Sequence, residues 1–267
     1  MSIVLAALDT SAAARPVLET ALEIGALTAS SVEVVHVRSD PSESCETPES
    51  LAERHEVPFE LLEGEVQPML LAAIEAPKTI AAVIGARSTP GGQRPAGHTA
   101  LYLLEHTNKP IVVVPPDMAA RHSLRHLLVP LEGTEFSSRP VLERLWPLLV
   151  ADVELVVLHV FTNRTLPAML DRPEYDLEIW GREFLRRHFP RNVHIELRPG
   201  PVGAQIAEVS RECSADLIVL SWSQSDATDK ARVIREVVGS SVLPVLLLPV
   251  VLDADGPTKV ESRRSKP

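Results

Sequence analysis

Residues 59–86 (FELLEGEVQPMLLAAIEAPKTIAAVIGA) and 195–222 (IELRPGPVGAQIAEVSRECSADLIVLSW) follow one plan. In each, an apolar strand runs into a glycine, an amphipathic stretch follows, and a second apolar strand closes the unit. Gly64 to Gly85 and Gly200 to Ser221 are both 21 residues apart. The openings also correspond, with IVLAALDTS at 3–11 beside HLLVPLEGT at 126–134, and so do the ends, with KPIVVVP at 109–115 beside LPVLLLP at 243–249. The chain must therefore fold as two diverged versions of one domain of about 120 residues, a repeat far longer than solenoid or propeller units.

The length of 267 residues fits two domains. Hydrophobic residues make up 45% of the chain but aromatics only 4%, so Ala, Val, Leu and Ile must fill both cores. The longest apolar run, VLPVLLLPVVL at 242–252, is about half the roughly 18–20 residues of a membrane span. The first strand begins at Ile3, which leaves no room for a signal sequence, so a cytoplasmic protein is expected. Cys45 and Cys213 have no metal or redox spacing and read as structural or incidental residues of a reducing compartment. The net charge of −10 argues against nucleic-acid and anionic-membrane partners. Residues 1–121 hold 8 Lys/Arg against 16 Asp/Glu, so an anion bound there must be held by local geometry.

The pattern divides the chain into residues 1–118, residues 123–252 and a polar tail at 253–267, with 116–125 as the linker. In the first copy, strands are predicted at Ile3–Leu8, Val32–Val37, Pro58–Leu62, Ala81–Ala86 and Ile111–Val114. Ser11 is the expected N-cap of a helix through SAAARPVLETALEIGALTAS, and further helices are predicted near 49–56, at 67–76 and at 98–108. In the second copy, the strands are Leu127–Leu131, Val153–Phe161, Val193–Leu197, Asp216–Leu220 and Val245–Leu248, with an amphipathic helix at 174–189. Doubly apolar strands alternating with helices predict an α/β fold, with two tandem five-stranded parallel sheets covered by helices on both faces. Ligands of such sheets bind beyond the carboxyl ends of the strands. That rule singles out Asp9, Arg38 and the segment Gly85–Ser88.

The segments ALDTS at 7–11, His36-Val37, Gly85-Ala-Arg-Ser and GHTALYLLEHTNKPIVVV at 97–114, with PLEGT, His159-Val160 and ARVIREVVGSSVLPVLLL in the second copy, resemble the universal stress protein family in its tandem form. The resemblance implies the adenine nucleotide alpha hydrolase-like fold and, in many members, ATP binding. It places Ala7 and Val37 on the adenine side, Asp9 on the ribose, Ile84 and Gly85 at the entry of the phosphate loop, and Arg87, Ser88, Gly97, His98 and Thr99 along it. Family members with ATP carry a loop of glycine, two residues, glycine, nine residues, then glycine and serine or threonine. Here Ser88 replaces the second glycine, the spacer before Gly97 is eight residues, and His98 stands before Thr99. Arg87, Arg94 and His98 can supply cationic contacts where a backbone contact is missing. In the second copy, Glu132 replaces the aspartate, Trp222 follows the Gly85 equivalent Ser221, and Ala231-Arg232 replaces the last glycine and serine.

The implied function is a stress-response regulatory or adaptor protein, with ATP or another adenine nucleotide in the first domain only and Mg only alongside ATP. Its last strands are expected to pair within the chain, two chains to associate as a homodimer, and a further protein partner to exist. The rivals are a nucleotide-independent scaffold with vestigial pockets and a weak ATP hydrolase, for which the loop offers neither a metal-holding carboxylate nor a base. No Walker or dinucleotide-binding fingerprint is present, and no serine sits in a nucleophile elbow. His122 and His126 lie in the linker and at a strand start, and read as incidental rather than as a metal pair. His36 and His159 close equivalent strands and read as packed, hydrogen-bonded core residues. Trp146 and Trp180 read as core or interface anchors.

Overall fold

The computed structural model describes residues 1–40, 46–86, 98–115, 118, 123–131, 141–146, 153–161, 179, 193–222 and 228–249. The first copy supplies β1 (Ile3–Ala7), α1 (Ala14–Thr28), β2 (Ser31–Arg38), α2 (Glu46–Arg54), β3 (Phe59–Glu63), α3 (Val66–Glu75), β4 (Thr79–Gly85), α4 (His98–His106) and β5 (Ile111–Val114). The second supplies β6 (His126–Pro130), β7 (Glu154–Phe161), β8 (His194–Pro199), α5 (Val202–Glu212), β9 (Leu217–Trp222), α6 (Thr228–Ser240) and β10 (Val245–Pro249). Apart from Ile179, the helix predicted at 174–189 lies outside the described residues, as does the tail.

The two five-stranded halves join edge to edge in one ten-stranded sheet of order β3-β2-β1-β4-β5-β10-β9-β6-β7-β8. Each half has the same internal order, and all its pairings are parallel. The halves meet where β5 and β10 run antiparallel, with Ile111 opposite Leu247, Val112 opposite Leu246 and Val113 opposite Val245. This is the intramolecular pairing anticipated from KPIVVVP and LPVLLLP. Without it, each half would expose an apolar strand edge of the kind that promotes aggregation.

Strand alternation divides the core into two layers. Val4, Ala6, Val34, Val112, Leu127, Val129 and Leu246 lie in one, with the buried face of α1. Leu5, Val35, Ile111, Val113, Leu128 and Leu247 lie in the other, with residues of α3, α4, α5 and α6. Both layers are continuous across the seam, because paired residues of β5 and β10 point to the same side.

Helix α1 begins at Ala14, two residues later than Ser11 would require as its N-cap. Ser11 instead forms a lead-in turn, its Oγ accepting the Ala13 N–H at 3.2 Å and its carbonyl accepting the Ala14 N–H at 3.1 Å. Short polar side chains compete with helical bonding in this way. The linker contributes to the core: Leu124 is buried and Met118 packs against the first layer, beside Thr20 of α1.

The glycine turns after β3 and β8 are a shared fold requirement. Gly64 has φ +143° and Gly200 φ +123°, and their N–H groups donate to the Arg38 and Phe161 carbonyls at 3.1 Å each. A side chain is strained at such angles, so Gly64→Ala and Gly200→Ala are each expected to cost about 1 kcal/mol in urea unfolding. The cost should be larger at Gly64, where the added Cβ would stand 3.2 Å from Met69 Cγ.

Candidate functional site

In the first half, the chain leaves β1 toward β2 on one side and later returns to β4 on the other, which opens a crevice at the carboxyl end of β1. The β1–β2 ladder ends at Ala7 opposite Val35, extended by the Leu8 N–H to the Val35 carbonyl at 2.9 Å. The β2–β3 ladder continues to Arg38 opposite Glu63. Strand β2 therefore outruns β1, and Val37 stands on the overhang. On the other flank, Ala7 lies opposite Ile84, while Gly85 pairs with Val114 of β5. Ala7, Asp9, Val37, Ile84 and Gly85 are thus brought to one end of the sheet.

Asp9 is exposed and held by its own turn. Its Oδ1 accepts the Ser11 N–H at 3.0 Å and the Ser11 hydroxyl at 2.5 Å. This fixes the carboxylate just ahead of α1, where the helix dipole favours negative charge. Both bonds use the same oxygen, leaving Oδ2 as an acceptor for a ligand hydroxyl.

Gly85 lacks the structural need seen at Gly64. An added Cβ would meet Val17 Cγ2 at 3.5 Å and Ala13 Cβ at 3.7 Å, which is ordinary contact, and its φ is not in the positive region. Neither packing nor backbone geometry demands glycine here. What glycine does provide is close approach of a ligand to the main chain.

The other expected residues divide into two groups. Arg87, Ser88, Arg94 and Gly97 lie outside the described residues. His98 and Thr99 open α4, and Thr99 is half-buried. Arg38 pairs with Glu63 on the adjoining strand. A helix N-terminus offers unbonded N–H groups and the positive end of its dipole, which suits a phosphate.

His36 supports the crevice from below. It is 2% exposed, and its Nδ1 donates to the carbonyl of Leu8, immediately before Asp9, at 2.9 Å. His159 repeats the bond to Leu131 at 3.0 Å and packs edge-on against Phe161. Both histidines are therefore packed, hydrogen-bonded residues, as their positions at strand ends suggest. His126 opens a strand rather than sharing a helix face with His122, which lies outside the described residues; its ring contacts Asp216 and Glu154.

The second half differs at the same end of its sheet. Glu132 lies outside the described residues, and Pro130 occupies the place of Ala7. Trp222 spans the seam, its Nε1 donating to the Leu104 carbonyl of α4 at 2.9 Å. Nothing local in the sequence signals this contact between residues 118 positions apart. Burial pushes the Cys213 thiol up, with Glu196 and Glu212 adding to the effect, so it is a poor nucleophile at neutral pH. Among the described residues, no group of three or more His, Cys, Asp or Glu is placed to hold a metal ion, and no helix is long and apolar enough to cross a membrane.

Comparison with known proteins places these observations. The model of the universal stress protein family matches residues 123–249. A solved structure of a functionally unknown protein from Pseudomonas aeruginosa PAO1 is similar over 94% of this chain and 93% of its own, with TM-score 0.71 and 14% identity. A putative universal stress protein from Pseudomonas aeruginosa UCBPP-PA14 matches over 94% of both chains, with TM-score 0.68 and 13% identity. A universal stress protein from Archaeoglobus fulgidus DSM 4304 matches over 92% of this chain and 98% of its own, with TM-score 0.66 and 16% identity. At these identities the likeness establishes the shared fold, extending through both halves. No curated protein matches the chain in sequence.

Proposed function

We propose that this chain, whose residues 123–249 match the model of the universal stress protein family, is a non-catalytic, stress-linked regulatory or adaptor protein of that family that holds an adenine nucleotide in its first half only. The observation that carries this reading is the meeting of a turn-fixed Asp9 with a glycine, Gly85, that the fold does not itself require. Both sit at the crevice beside the overhang of β2. Adenine would lie against Ala7, Val37 and Ile84, and Asp9 would accept from the ribose hydroxyls. The phosphates would face the loop containing Arg87, Ser88 and Gly97 and the start of α4 at His98 and Thr99. ATP would bring Mg with it, held chiefly by the phosphates.

The second half acts as a built-in partner whose Trp222 is committed to the seam. Residues 1–118 and 123–252 serve as the two domains, in a cytoplasmic protein that associates as a homodimer and acts through a protein partner. Calorimetric titration with ATP and AMP tests the nucleotide reading. Asp9→Ala is expected to weaken binding by roughly 10- to 100-fold, the value of a hydrogen bond to a charged group. Phosphate release with bound ATP would favour a hydrolase, and no heat from folded protein would favour a nucleotide-independent scaffold.

A further inference from the structure

We propose that the open edge of the sheet at β3 is a docking strip for the basic end of this same chain, residues 259–266, which adds to β3 as a new strand. Strand β3 ends the sheet, with β2 as its one neighbour among the described strands. The Val34 N–H donates to the Pro58 carbonyl and the Gly64 N–H to the Arg38 carbonyl, so Glu60 and Leu62 between them turn their backbone groups to β2. In a parallel ladder the alternate residues turn theirs the other way. Phe59, Leu61 and Glu63 therefore present N–H and C=O groups along the outer edge. Such an edge is the template to which an extended segment adds.

Charge selects what is added. Residues 46–65 carry seven glutamates, all exposed, against one arginine. A second copy of β3 would set glutamates against glutamates, and like charges facing across a strand pair are destabilising. Residues 259–267 (KVESRRSKP) carry four Lys/Arg against one glutamate, which suits the strip. The opposite edge, β8, makes no such demand: Arg198 pairs there with Glu196 and Glu212, and His194 with Glu196. Reach fits as well. Strand β10 finishes at Pro249 and runs antiparallel to β5, so it finishes at the end of the sheet where β3 begins. Five strand spacings separate β10 from β3, about 24 Å at about 4.8 Å each. Residues 250–258, when extended, cover about 30 Å, which brings Lys259 to the start of β3 with Arg263, Arg264 and Lys266 beyond it.

Hydrogen exchange by NMR in the full chain tests this, read at the outward amides of β3. The Leu197 amide of β8, turned outward by the same alternation because the Gly200 N–H donates to Phe161, is the internal control. At low salt, the Phe59, Leu61 and Glu63 amides are expected to exchange about three-fold slower than in the variant Arg263→Glu/Arg264→Glu, as for an edge covered about two-thirds of the time. About 0.5 M salt should abolish the difference, because screening then acts within a few ångströms. The Leu197 amide should exchange alike in both chains. Equal exchange of the three β3 amides in both chains at low salt would overturn the proposal. Protection that rises with protein concentration would overturn it too, since a second chain would then be the occupant.

Discussion

Leu247→Asp is expected to remove at least about 4 kcal/mol of stability and to send most of the expressed chain into aggregates. Leu247 is fully buried, lies opposite Ile111 in the antiparallel seam, and belongs to the apolar layer that runs through both halves. A carboxylate there would lie among apolar side chains and must either be buried charged or take up a proton, and both are costly. Because β10 joins the halves, the loss also frees the edge of β5, whose residues Ile111–Val114 are all buried in the intact sheet. Freed apolar edges pair with other chains, which is why aggregation should accompany the loss of stability. Val242→Asp is the control: Val242 is 64% exposed ahead of the same strand, and its substitution should stay within about 0.5 kcal/mol. A Leu247→Asp protein that remains in solution and unfolds at the wild-type urea concentration would show that the seam does not join the halves.

The seam was legible from the family resemblance, which implied that KPIVVVP and LPVLLLP pair within the chain, and from the aggregation hazard of leaving such apolar strands at an open edge. Their register was not legible, since runs of Val and Leu offer no alternation to fix it. The strand-end site was legible in part: Asp9, Val37 and Gly85 each follow an apolar run, and topology alone carries them to one end of the sheet. The start of α1 was misplaced because Ser11 fits an N-cap by type, yet it bonds within a turn set by Asp9. The bond of Trp222 across the seam was not legible for a different reason. The residue's position beside Ser221 follows from the repeat, but its direction follows from the antiparallel seam, which brings the carboxyl end of β9 to the C-terminus of α4.

The duplicated histidines give the second large effect. His36→Leu and His159→Leu are each expected to cost about 2 kcal/mol, and the double variant about 4 kcal/mol. Leucine keeps much of the buried volume but leaves the Leu8 or Leu131 carbonyl without its side-chain donor. The two bonds span 28 residues in both copies and differ by only 0.1 Å, which predicts similar costs. They lie in different halves and bond to different carbonyls, so the costs should add in urea unfolding. Their effect on binding should differ. His36 fixes the peptide that leads into Asp9, so His36→Leu should also weaken ATP binding, whereas His159→Leu should leave it unchanged. If the two variants lose stability equally and neither changes the affinity for ATP, then His36 holds the sheet together without positioning Asp9, and the ribose contact must be sought elsewhere in the crevice.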